Sequence, residues 1–101
     1  MSEKALLLAM LFYLTDGTVK GITRLHKLVF LVQKEVGLGS FDFKPSKYGP
    51  WSPELEEDVR WLVSRGLIAV DEKQDPAYEL LKERPVKIFK ASHELIRLIT
   101  V

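Results

Sequence analysis

The sequence predicts an α+β fold, mostly helical, with three core helices, a two-stranded hairpin and a C-terminal helix. Three observations predict it. An amphipathic stripe recurs at helical spacing from Thr23 to Val36, and a second runs from Ser52 to Val63 behind an unambiguous start signal. A Gly-Leu-Ile-Ala-Val passage at 66–70 then changes the period from helix to strand. With 101 residues, the chain has room for one domain spanning 1–101 and for a single core.

The first helix is expected over Ser2 to Thr15, with Ser2 as N-cap and Asp16-Gly17 as the stop. Its run from Ala5 to Leu14 is apolar on every side. Ten residues fall far short of the ~20 that span a bilayer, and TDGTVKG supplies no cleavage site for export. The run therefore reads as a helix buried inside the domain or a dimer interface. The second helix is expected from Thr23, as N-cap, to Val36, with Gly37 closing it. Leu25, Leu28, Val29, Val32 and Val36 form its buried stripe, while Phe30 and Leu31 on the flanks call for contact on more than one side.

After helix 2, Phe41 and Phe43 alternate with Asp42 and Lys44 as a brief strand, and Pro45, Gly49 and Pro50 force a turn. Helix 3 opens with Ser52 as N-cap and Pro53 in its first turn, followed by acids that suit the positive end of the helix dipole. Leu55, Val59, Leu62 and Val63 face the core, and Gly66 ends the helix. Strands are expected at Leu67–Val70 and Tyr78–Leu81, with Glu72 to Asp75 as the hairpin tip. A last helix from Pro85 toward Thr100 would align Ile88, Phe89, Leu95, Ile96 and Ile99, with Ala91 and Leu98 widening the apolar arc. The alternative keeps Pro85 to Phe89 extended as a third strand before a shorter helix. The wide arc favours a homodimer through the first and last helices.

This order of elements is that of a winged helix-turn-helix, the hairpin being the wing. YELLKERPVKIFK resembles the Y-x-L-T-x-x-G wing-to-helix passage of PadR-like regulators, with Leu81 in place of the Thr and Arg84 near the place of the Gly. TRLHKLVFL followed by KYGPWSPEL is similar to small archaeal winged-helix proteins carrying a K-L-x-F-L … Y-G-P-(aromatic)-S pattern. More distantly it resembles Panacea antitoxin-type domains. The likeness covers roughly Thr23 to Ile68 and is most specific at Tyr48, Gly49, Pro50, Trp51 and Ser52. It implies a helical core with a wing, used in transcription regulation or in neutralising a partner protein, and it names no catalytic residue.

Composition narrows the chemistry. Hydrophobic residues make up 47% and charged residues 29%, and the net charge of +1 is no global signature of a nucleic-acid binder, so any basic surface is local. There is no cysteine, which removes disulfides and the usual zinc ligands and, with no export signal, points to the cytoplasm. The absence of asparagine, beside abundant Lys and Glu, hints at a thermophilic source. His26 and His93 show neither HxxxH nor HxxE spacing and read as exposed or satisfied side chains. No phosphate-binding glycine loop or nucleophile elbow occurs, so an enzyme is not expected, and neither a cofactor nor a metal.

Two functions compete. For duplex DNA, Lys44, Lys47 and Tyr48 in the loop before helix 3 and Lys73 at the wing tip would form a phosphate-contacting rim. Lys20, Arg24 and Lys27 cluster near the start of helix 2, and Arg60 and Arg65 would add contacts from helix 3. For a protein partner, an exposed Trp61 with Glu54, Glu57 and Asp58 would present an aromatic anchor on an acidic face. Those same acids oppose phosphate if they face it. The base rate of the fold favours the dimeric DNA-binding regulator, and the charge pattern favours the antitoxin-like or adaptor module.

Overall fold

The computed structural model describes residues 2–39, 41–73 and 86–100. Helix α1 (Glu3–Leu14) starts where the Ser2 hydroxyl accepts the Ala5 N–H at 3.1 Å. A three-residue strand β1 (Thr18–Lys20) follows, too short to signal itself in sequence. Helix α2 (Ile22–Val36) is entered through Gly21 rather than capped by Thr23, because the Gly21 N–H is taken by the Lys87 carbonyl and the chain turns there with φ of 98°. Strands β2 (Lys44–Ser46) and β3 (Gly49–Trp51) make a tight hairpin, and α3 (Pro53–Ser64) follows at once. Strand β4 (Ile68–Lys73), strand β5 (Val86–Ala91) and helix α4 (His93–Thr100) complete the chain.

Strands β1, β5 and β4 form an antiparallel sheet in that order, with Val19 opposite Phe89 and Phe89 opposite Val70. The sheet is the reason residues 86–91 are strand rather than the start of the last helix. A central position gives β5 ladder partners on both sides, which outweighs the weak helical period of Ile88, Phe89 and Ala91. The extended alternative for Pro85–Phe89 is thus the observed one from Val86 onward, and α4 is correspondingly short. Glu72 and Lys73 belong to β4 and are not a tip; the second wing strand expected at Tyr78–Leu81 lies outside the described residues.

One side of the domain is helical. Leu7, Leu8, Leu11 and Phe12 of α1 are fully buried against Leu25 and Val29 of α2, Leu55 and Leu62 of α3, and Leu95 of α4. Each such side chain contributes on the order of 1.5–3 kcal/mol by leaving water. The apolar circumference of α1 is thereby mostly used within one chain, and only Tyr13 and Leu14 at its end stay exposed. No helix among the described residues is long and apolar enough to cross a membrane.

The Phe41–Phe43 stretch is not strand. The Gln33 amide holds Phe41 by both backbone groups, donating to its carbonyl and accepting its N–H at 3.0 Å each, so this backbone is satisfied without a partner strand. Gly39 permits the approach: its φ is 84°, and a Cβ there would meet Leu7 Cδ2 at 2.6 Å.

Candidate nucleic-acid interface

The β2–β3 hairpin is a projecting, cationic element. Lys44 pairs with Trp51, Pro45 with Pro50 and Ser46 with Gly49, leaving Lys47 and Tyr48 at the turn. The Ser46 hydroxyl closes the turn, donating to the Gly49 carbonyl at 2.7 Å and accepting the Tyr48 N–H at 3.2 Å. Lys44, Lys47 and Tyr48 are all exposed, Tyr48 by 65%, and the Lys47 ammonium sits 5.1 Å from the Tyr48 ring centre. Neither lysine has a salt bridge among the described residues.

What anchors the hairpin is His26, whose sequence spacing reads as that of an exposed or satisfied side chain. It is completely buried, stacked on Trp51 at 3.8 Å with the rings 7° from parallel, and edge-on to Phe43. Its Nδ1 accepts the Ser52 N–H at 3.0 Å, so the ring hydrogen resides on Nε2. Nε2 has no hydrogen-bond partner among the described residues, and Glu56 Oε1 stands 4.0 Å away. Burial pushes the imidazole pKa down to about 4, keeping it neutral. Ser52 in turn caps α3, its hydroxyl accepting the Leu55 N–H at 3.3 Å. One buried ring therefore ties α2, the hairpin and the first turn of α3 together. A signal for it exists: Ile22, His26, Val29 and Gln33 share a helical stripe that a reading of aliphatic residues alone passes over.

The acids of α3 do not form one face. Glu54 turns to α1, where the Lys4 ammonium donates to it at 2.6 Å, and it also accepts the Asp42 N–H at 3.2 Å. The Lys4 hydrogen bond holds the Glu54 carboxyl below its ordinary value. The Glu54 charge is thereby engaged in fixing the loop to α1. Glu56 leans inward toward His26 and 3.8 Å from Arg60. Asp58 is half-buried toward α1, where burial raises its pKa. Of the four acids, Glu57 alone stays fully on the outer stripe, beside exposed Arg60 and Trp61.

Trp61 is 54% exposed. The Arg65 guanidinium lies 5.0 Å from its ring centre. Arg65 caps the far end of α3, about 20 Å along the axis from Ser52 at 1.5 Å per residue, and is not brought together with the hairpin lysines. Of Lys73 the backbone alone is described, opposite Val86 at the end of β4. A groove of about 490 Å³ separates α3 from the sheet, floored by Val59, Val63, Val70 and Phe89 and edged by Glu56, Arg60, Glu72 and Lys87. Nothing in the sequence around Lys87 sets this cation apart, since its place at the groove depends on β5 lying between β1 and β4. Among the described residues no cluster of three metal-ligating side chains occurs. No protein-family model matches the chain, and no curated protein or solved structure matches it significantly.

Proposed function

We propose that the chain is a winged-helix protein that binds duplex DNA, acting as a dimeric transcriptional regulator. The element order supports the fold reading: helix, strand, helix, a two-stranded hairpin, helix, two strands and a last helix, with β1 joining the sheet on the far side of β5 from β4. The observation that carries the function is the hairpin tip. Lys44, Lys47 and Tyr48 project immediately ahead of the α3 N-terminus, exposed and without acidic partners among the described residues. A segment there lies against the sugar-phosphate backbone when α3 approaches the major groove. Arg60 on the outer stripe and Lys87 at the groove edge extend the cationic surface, and Lys73 belongs to the proposed set by its place at the end of β4. Arg65 is left out of this surface.

The acid content of α3 weighs less against phosphate than its sequence suggests, since Glu54 is paired with Lys4 and Asp58 faces α1. A homodimer through α1 and α4 is part of the same reading, supported by exposed Tyr13 and Leu14 at the end of α1; light scattering checks it.

Fluorescence anisotropy with random-sequence duplex DNA at about 50 and 200 mM salt tests the proposal, because each phosphate contact contributes roughly 0.9 to the slope of log K on log salt. Lys44→Glu with Lys47→Glu should weaken binding and flatten that slope by about 2. Absence of binding at the lower salt would remove DNA as the partner.

A further inference from the structure

A crevice of about 140 Å³ opens between the start of α1 and the middle of α3, lined by Ser2, Ala5, Leu8, Asp58, Trp61 and Leu62. It takes no part in the DNA surface proposed above. Ala5, Leu8 and Leu62 make its walls apolar beside the Ser2 hydroxyl, Asp58 is the one ionisable group lining it, and its rim carries the half-exposed Trp61 ring. Two groups of this arrangement stand open to a partner. Asp58 makes no salt bridge among the described residues, while the nearby Lys4 is committed to Glu54 at 2.6 Å. Trp61 leaves about half its surface in water, in the middle of a helix whose next residue, Leu62, is core.

We propose that this crevice receives one cationic side chain, a lysine or arginine, from a partner protein, held between the Asp58 carboxylate and the Trp61 ring. Charge complementarity selects the occupant. A carboxylate beside an aromatic ring attracts an ammonium or guanidinium by ion pairing and by the ring quadrupole together, and water excluded by the apolar walls strengthens both. Glu57, exposed on the adjoining stripe, adds negative potential at the mouth, and the volume suits a single side chain. Arg65 over the Trp61 ring already displays the guanidinium–indole contact within this chain. A Trp beside a half-buried charge is also the composition of an interface anchor. Burial raises the Asp58 pKa despite nearby Lys4, so the ionised carboxylate is held there at a cost to the fold that an arriving cation would relieve.

The test is an NMR titration with the capped tripeptide acetyl-Ala-Lys-Ala-amide, its norleucine counterpart and n-butylamine, following the Trp61 indole and Asp58 amide signals. The lysine peptide should shift both saturably, the norleucine peptide neither, and n-butylamine more weakly than the peptide. Asp58→Asn and Trp61→Leu should each weaken the lysine peptide at least tenfold, with Glu35→Gln on exposed α2 surface as an unchanged control. Asp58→Asn should also unfold no earlier than the parent chain, which separates lost binding from lost structure. Equal shifts from the norleucine peptide, an unaffected Asp58→Asn variant, or n-butylamine leaving both signals unmoved would each overturn the proposal. None of these outcomes depends on whether the chain binds DNA.

Discussion

The two tryptophans stand ten residues apart and live in opposite environments. Trp51 ends the β2–β3 hairpin, stacks on a buried neutral histidine and leads directly into the α3 cap. Trp61, two and a half turns into that helix, has Arg65 on its ring, a half-buried carboxylate beside it and 54% of its surface in water. Both are large apolar side chains next to a titratable group. In the first, burial has suppressed the charge and the ring serves the fold; in the second, charge has been kept and the ring serves the surface. A single distinction, whether the neighbouring ionisable group is neutralised, separates the aromatic that serves the fold from the one left at the surface.

The largest expected effect tests the suppressed charge. His26 has a folded-state pKa of about 4, below its ordinary value of 6.5. The unfolded chain therefore binds the proton more readily, and the stabilisation from neutral His26 is complete above about pH 6.5 and lost as pH falls toward 4. The shift corresponds to about 3 kcal/mol at most, since Glu56 at 4.0 Å would offset part of the cost of an imidazolium. Urea denaturation of the parent chain and of His26→Gln across this range measures it. Gln keeps an acceptor for the Ser52 N–H but cannot titrate, so its stability curve should be flatter by that amount. Parallel curves would show that His26 is not the group whose charge is suppressed.

Next in size is the ring that covers it. Trp51→Ala removes a half-buried stacking partner and opens His26 to water, at an expected cost of about 2 kcal/mol, toward the low end for aromatic truncations. The same substitution should bring the His26 pKa back up toward 6.5, read by an NMR titration of the ring. A lost 2 kcal/mol with an unmoved pKa would mean that α2 and α3, not Trp51, keep His26 dry.

Much of the helical frame is legible in the sequence because its signals are local. Ser52-Pro53 marks the start of α3, Gly37 the end of α2, and the aliphatic stripes mark their inner faces. The sheet is not, because its information is non-local: β1 is three residues long, and Val86–Ala91 becomes strand only by lying between two partners. Lys44, Lys47 and Tyr48 are readable as one cluster since a single hairpin carries them. Glu54 is not readable as neutralised, because its partner Lys4 lies fifty residues away on another helix. His26 escapes for a related reason: its environment is built by Trp51, Phe43 and Ser52, and nothing next to it in sequence announces burial.

The smallest expected effect is the one on which the comparison turns. Trp61→Ala should change stability by less than about 1 kcal/mol, since the ring gives up only an exposed contact with Arg65 and one wall of a small crevice. The buried neighbours Leu55, Val59 and Leu62 hold α3 in place without it. Thermal unfolding of Trp61→Ala beside Trp51→Ala makes the measurement internal, with the same residue type truncated ten positions apart. A clear gap between the two would mean that the domain can do without the Trp61 ring, leaving that aromatic surface to serve contact with another molecule. Equal losses would place Trp61 in the core, and the recognition role of the Asp58 crevice would go with it.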